Sequence, residues 1–312
     1  MNSKIEKKIL VTIVLIVLFY VLFAIYSDLE KTSFNFLKID AVNLMLIFSL
    51  MILAMFVRSL IQKLFLDNIG IQLSFLENFK IFISGLSMII TPLGAGQLIK
   101  SHFIKQKFGY DISKSAPIVF AERFHDLLAI SIIISISLFF YYSVASLSII
   151  IITFSFLIIF FLMLRTRKIW NVLNWLQTKF SFVRKNLNLS SNFENSFLQI
   201  FSLNLVVKAN LMTLGATIIE GIVVYIGFSM FEIDFNYFQS IQIYYTSVLV
   251  GALSLIPGGV GITEGSFVNL LLTHGIELSL ATSLVIFVRL SVIWFSTISG
   301  FIVSNSYLHK QK

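Results

Sequence analysis

Uncharged apolar stretches long enough to cross a bilayer alternate with short basic segments along this chain. A helix of ~20 apolar residues spans the hydrocarbon layer. On that measure Ile9–Ser27, Ile39–Val57, Ala209–Phe231 and Leu278–Ser304 each predict one span, the third interrupted by Glu220 and the fourth by Arg289. Leu127–Leu164 holds 38 residues without a charge, too many for one span, and Tyr141-Tyr142-Ser143 predicts a turn that divides it in two. The pattern therefore predicts about six spanning helices. The basic N-terminus followed by Ile9–Ser27 has the outline of a signal peptide. Its uncharged run exceeds a usual leader core and no small-x-small site follows, so a retained first span is expected.

Two further apolar segments are broken, one around Pro92 and one around Pro257. Each is either a kinked span or a re-entrant hairpin that enters and leaves on one face. Lys and Arg counts separate the two models, because cytoplasmic loops are enriched in positive charge. With Arg123 and Arg289 set aside as intramembrane and the N-terminus inside, the hairpin model places 19 of the other 21 basic residues inside, whereas the kinked-span model places 8 there. Re-entrant hairpins are expected, with both termini, the loop Ser59–Lys80 and the basic segment Arg165–Lys185 cytoplasmic. Apolar residues recur at helical spacing in that segment, which predicts an amphipathic surface helix or a plain basic loop over about 165–204.

The two broken segments match each other. Pro92, Gly94 and Gly96 share the pattern Pro-x-Gly-x-Gly with Pro257, Gly259 and Gly261. Downstream, Gly109 and Gly275 each precede an arginine by 14 positions, Arg123 and Arg289. An acid stands third in each stretch (Asp111, Glu277) and a serine fifth (Ser113, Ser279). Three spans separate the copies, so the second enters from the opposite face. An inverted repeat is expected, with units of about 79–142 and 238–304, an arrangement common in secondary transporters. Proline stops a helix and glycine permits φ > 0 and close approach. Backbone broken at membrane depth is tolerated where protein buries it or water reaches it. Free amides at the following helix start are suited to an anion; tight hairpin packing is the other use of the same glycines.

Composition narrows the class. Residues 1–312 are 57% hydrophobic and 12% charged, against roughly 25% charged in a soluble domain. A single all-α integral membrane domain is expected, multi-pass in the plasma membrane. There is no cysteine, and the four histidines lack metal-ligand spacing, so no metal site is expected. The net charge of +8 fits positive-inside bias rather than nucleic-acid binding. No nucleotide fingerprint is present and no cofactor is expected.

Charges within apolar helices are the candidate chemistry. A charge at the bilayer centre costs roughly 2.5–3.5 kcal/mol on insertion scales. Glu122, Arg123 and Asp126 share a turn and a half, Glu220 and Arg289 lie mid-span, and Glu264 follows the second glycine loop. Two readings stand. The charges pair as structural glue, Arg123 with Asp126 or Glu220 and Arg289 with Glu264. Alternatively, the two arginines line a polar path and hold a phosphate, with the acids tuning its release. Lys100, just past the first break, is suited to gathering anionic headgroups, or is ordinary inside charge. His125-Asp126 beside Glu122 leaves open a membrane-embedded hydrolase.

The stretches PLGAGQLIK…AERFHDLL and IPGGVGITEGSFVNLL resemble the transmembrane region of lysylphosphatidylglycerol synthase/flippase proteins, and the likeness runs over essentially the whole chain. By position it falls on Pro257, Gly258, Gly259, Gly261 and Glu264, and on Glu122, Arg123 and Asp126. The first hairpin of that family commonly carries Gly-Glu and then a base; here Gly96-Gln97 and Lys100 stand there, which bears on any proton- or cation-linked role. The resemblance implies a flippase-like protein that moves a phospholipid or polyprenyl-phosphate-linked lipid between leaflets, and it leaves open as the alternative a membrane-embedded transferase or hydrolase acting on polyprenol-linked sugars in glycan assembly. It also implies that aminoacyl transfer belongs to a separate soluble domain, so the expected activity is transport rather than catalysis.

Overall fold

Asp40 starts the first long helix. Its carboxylate accepts the Asn43 amide at 2.8 Å, and the chain turns from extended to helical at Ala41. The computed structural model describes residues 28–37, 39–165 and 191–309, with isolated positions 22, 23, 25, 171, 175 and 178. The expected span at Ile9–Ser27 and the amphipathic segment at Arg165–Lys185 lie outside the described residues, apart from those few positions and Arg165. Helices α1 (Leu29–Phe36), α2 (Ala41–Asn68), α3 (Phe75–Leu86), α4 (Ile99–Phe108), α5 (Ile112–Ser115), α6 (Pro117–Ser137) and α7 (Val144–Arg165) form the first half. Helices α8 (Ser191–Ile200), α9 (Leu203–Met230), α10 (Tyr237–Leu253), α11 (Ile262–Thr273), α12 (Leu278–Arg289) and α13 (Phe295–His309) form the second. No strand occurs among the described residues.

Four helical stretches among the described residues are long and apolar enough to cross a membrane: Ala41–Asn68, Val144–Leu164, Leu203–Met230 and Leu278–Ser306. α6 has the length but carries Glu122, Arg123 and Asp126. The long apolar run divides as its tyrosines predict, with a turn over residues 138–143. Two expected ends move outward. α2 passes the expected stop at Val57 and takes in Arg58, because Ile61, Phe65 and Leu66 continue its buried stripe. The expected loop Ser59–Lys80 is thus mostly helix, with its break at residues 69–74. In the same way α9 starts at Leu203 and includes Lys208.

α2 and α9, each of 28 residues, pack along one another and run antiparallel. Ile47 and Met51 from the first half of α2 share a cluster with Val223, Val224 and Phe228 from the last half of α9. Ile61 and Phe65 at the other end join Leu205 and Ala209. This pair forms the spine against which the broken helices sit.

Both Pro/Gly segments are helix–break–helix units. In the first, α3 ends at Leu86 and a 3-10 stretch, Pro92–Leu98, leads into α4. In the second, α10 ends at Leu253 and Pro257–Gly259 leads into α11. Each unit begins and ends at the same end of the bundle. Lys107 Nζ near the end of α4 reaches Glu77 Oε2 in the first turn of α3 at 2.8 Å. At the opposite end, the ring of His274 after α11 lies 5.5 Å from that of Phe235 before α10. His274 also meets the Tyr141 hydroxyl at 2.6 Å, and Lys31 meets Glu277 at 3.0 Å, so these turns gather at one end. The two breaks touch: a side-chain carbon on Gly258 would lie 3.4 Å from Ile90 Cβ.

The last helix is continuous but not uniform. Five π-helical residues, Leu290–Trp294, join α12 to α13 directly after Arg289. Such bulges are rare and concentrate at functional sites. Farther on, Gly300 lets α13 lie against the end of α3, where a side-chain carbon would sit 2.3 Å from the Ser87 backbone nitrogen.

Candidate functional site

The second break is closed by its own charges. Gly258 and Gly261 adopt φ of +62° and +86°, conformations in which a side chain is strained. Gly261 caps α11, and its amide donates to Glu264 Oε2 at 2.8 Å. The other oxygen of Glu264 accepts from Arg289 Nε at 2.7 Å, and Arg289 Nη2 donates to the Gly258 carbonyl at 2.7 Å. Glu264 is fully buried and Arg289 nearly so. One carboxylate thus joins the helix cap, the glycine loop and α12. Arg289 thus pairs with Glu264.

At the first break a second buried pair forms with reversed polarity. Lys100 on α4 donates to Glu122 on α6 at 2.5 Å, and both side chains are buried. Lys100, suited by sequence to gathering headgroups or to ordinary inside charge, is 3% exposed and turned into the fold. Its stem passes over Gly85 on α3, where a side-chain carbon would fall 2.4 Å from Lys100 Cγ, and that groove draws the ammonium inward. Gly96 donates its amide to Thr91 Oγ1 at 2.7 Å, and Pro92 occupies the first turn of the 3-10 stretch, where its missing N–H costs nothing.

Between these closed pairs lies a four-charge network. Arg58 of α2 grips Glu220 of α9 with two bonds of 3.0 Å, Nε to Oε1 and Nη2 to Oε2. Arg58 Nη1 also donates to Asp126 Oδ1, and Arg123 Nη2 reaches Asp126 Oδ2 at 3.1 Å. Arg58 and Glu220 are each the 18th residue of their 28-residue helices. Bidentate arginine–carboxylate geometry is strong and orienting. The network is neutral and part open: side-chain exposure is 15–19% for Arg58, Asp126 and Glu220 and 31% for Arg123. Charge facing hydrocarbon is disfavoured, so this opening is suited to water or a polar headgroup.

Arg123 adjoins the first break as Arg289 adjoins the second. A side-chain carbon on Gly94, whose φ is +66°, would lie 3.5 Å from Arg123 Cδ. Glu122 and Asp126, four apart on α6, take different partners. His125 is fully buried and stacks on Phe65 with centroids 5.7 Å apart. Arg58 is the site residue that the sequence reading passes over. Its signal was available: the apolar spacing around it continues to Leu66.

The model of the lysylphosphatidylglycerol synthase transmembrane region matches residues 8–300. A UPF0104 membrane protein of Methanocaldococcus jannaschii is 26% identical over 236 residues, covering 72% of this chain and 96% of that protein. A UPF0104 membrane protein of Methanothermobacter thermautotrophicus is 31% identical over 97 residues, covering 31% of this chain and 29% of that protein.

Proposed function

The chain belongs to the lysylphosphatidylglycerol synthase transmembrane-region family, and from that premise we propose that it is a lipid translocase. In this reading the two helix–break–helix units are re-entrant hairpins of one inverted repeat that dip from opposite faces and meet at their tips. The repeat reaches further upstream than the sequence pattern alone, to α2 and α9. A phospholipid or polyprenyl-phosphate-linked headgroup passes along the part-open network, while Lys100–Glu122 and Arg289–Glu264 hold the hairpins in place. The observation that carries the reading is the network of Arg58, Arg123, Asp126 and Glu220, partly exposed beside two broken helices that touch. A part-exposed arginine is able to exchange its acid partner for phosphate, to which its planar fork is matched. Fluorescent phospholipids of several headgroup classes in proteoliposomes, with external quenching of the outer leaflet, test it. Faster exchange than in empty vesicles is expected for at least one class; equal exchange for all of them rejects the proposal.

The orientation proposed is both termini cytoplasmic in the plasma membrane. Residues 109–111, at the end where the first hairpin begins, then face inside, and residues 273–275 face outside. Because the chain has no native cysteine, single cysteines at the exposed positions Asp111 and Thr273 report this directly. Labelling from opposite sides is expected, and labelling of both from one side rules out the inverted arrangement.

A further inference from the structure

Two buried donors at the first break face the same point. Arg123 Nε and Gln97 Nε2 are both shielded from solvent, and neither has a hydrogen-bond partner among the described residues. Gln97 as a whole is 1% exposed. A side-chain carbon on Gly94 would sit 3.6 Å from Arg123 Nε and 3.7 Å from Gln97 Nε2, ordinary contact distances. Gly94 lacks that carbon, and its positive φ disfavours residues that have one. The two N–H groups therefore lie together beside Gly94 without an acceptor among the described residues. A buried N–H without an acceptor is costly, and two at one point call for a shared acceptor.

The second break displays the arrangement with its acceptor built in. There Arg289 Nε meets the Glu264 carboxylate, which also takes the Gly261 amide. Arg123 holds the matching place beside Gly94, but the side chain that joins it is the amide of Gln97, which presents N–H groups instead of a carboxylate. One break carries its own anion, and the other presents donors for one.

We propose that the first break is a phosphate-oxygen site. A non-ester oxygen of a phosphate group seats over Gly94 and accepts from Arg123 Nε and Gln97 Nε2. The rest of the headgroup lies toward the exposed Ala95 and the open side of Arg123. The site rests on the lipid-translocase reading and deepens it: the two hairpins are unequal, the first holding the phosphate and the second closed by Glu264.

The test is direct binding to the full purified chain in detergent, with inorganic phosphate and short-chain phosphatidylglycerol as separate probes. Binding of phosphate alone marks a free-anion site, and binding of the lipid alone ties the site to a headgroup; either supports the proposal. Gln97→Glu supplies the internal carboxylate that Glu264 supplies at the second break. It is expected to raise the unfolding temperature of the unliganded protein and weaken binding at least tenfold. Gln97→Leu removes the amide donor without adding charge and is expected to weaken binding about tenfold, the scale of one charge-assisted hydrogen bond. Wild-type protein that binds neither probe overturns the proposal. So does a Gln97→Leu variant that binds as tightly as wild type or more tightly, because Gln97 would then be the partner of Arg123 and not its ally. Binding that follows these expectations without any leaflet exchange keeps the site and removes the translocase reading. Exchange that persists unchanged in both variants does the reverse.

Discussion

Arg58→Ala is expected to be the most damaging single change in the molecule. Arg58 is the hub of the network, donating twice to Glu220 and once to Asp126. Its loss leaves Glu220 without the arginine that grips it and Asp126 with Arg123 alone. Removing one member of a largely buried ion pair costs about 3–5 kcal/mol, because the remaining charge keeps its desolvation penalty. The effect spreads through the fold, since Arg58 and Glu220 join α2 to α9 at the centre of the antiparallel spine. A sharp fall in unfolding temperature and in monodisperse yield is expected in detergent. Lys63→Ala is the control: its i, i+4 pair with Asp67 lies within one helix and is part exposed, 24% and 48%, and such a pair is worth at most about 1 kcal/mol. The double variant Arg58→Ala/Glu220→Ala is expected to recover part of the loss. Equal unfolding temperatures for Arg58→Ala and Lys63→Ala would mean that the network contributes nothing to the fold.

Glu264→Gln ranks second. The substitution keeps the size of the side chain but removes the negative charge that the buried Arg289 meets and weakens the cap on α11, since the same carboxylate serves both. The expected cost is again about 3–5 kcal/mol, concentrated at the second break. Amide exchange of residues 258–263, followed by mass spectrometry, is expected to accelerate, while exchange in the core of α9 stays slow. The double change Glu264→Gln/Arg289→Met removes both charges and is expected to restore much of the protection, as apolar replacements of buried ion pairs often do. Unchanged exchange in the single variant would show that the Glu264 carboxylate does not hold this loop.

What the sequence made legible follows from which physics is local. Proline and glycine act on their own backbone, so both breaks were visible from Pro92, Gly94 and Gly96 and from Pro257, Gly259 and Gly261. Gly109 and Gly275 are likewise local, and both adopt positive φ, +76° and +79°, one turn before the next helix. Helix ends are less legible, because a charge reads as the end of an apolar run. Arg58 and Lys208 both lie inside helices that continue beyond them. The helix tolerates Arg58 because partners far away in sequence meet it, and Lys208 because it lies exposed in the second turn of its helix. Pairing is the illegible part for the same reason. Glu220 and Asp126 announce that a cation must be near, but only the packing of α2 on α9 and α6 selects Arg58. The burial of Lys100 is illegible because it depends on the groove left by Gly85, a contact between two helices.

The central claim is that Arg123, and not merely a positive charge at its position, handles a phosphate-bearing headgroup. The measurement that tests it most directly is the rate of leaflet exchange in proteoliposomes carrying Arg123→Lys, at matched protein density and with folding checked by unfolding temperature. Lysine keeps the charge but loses Nε and the planar fork. The account predicts a wild-type rate well above empty vesicles and a rate at least tenfold lower for folded Arg123→Lys. Exchange at the wild-type rate by the lysine variant would contradict it and leave Arg123 as one more charge holding helices together.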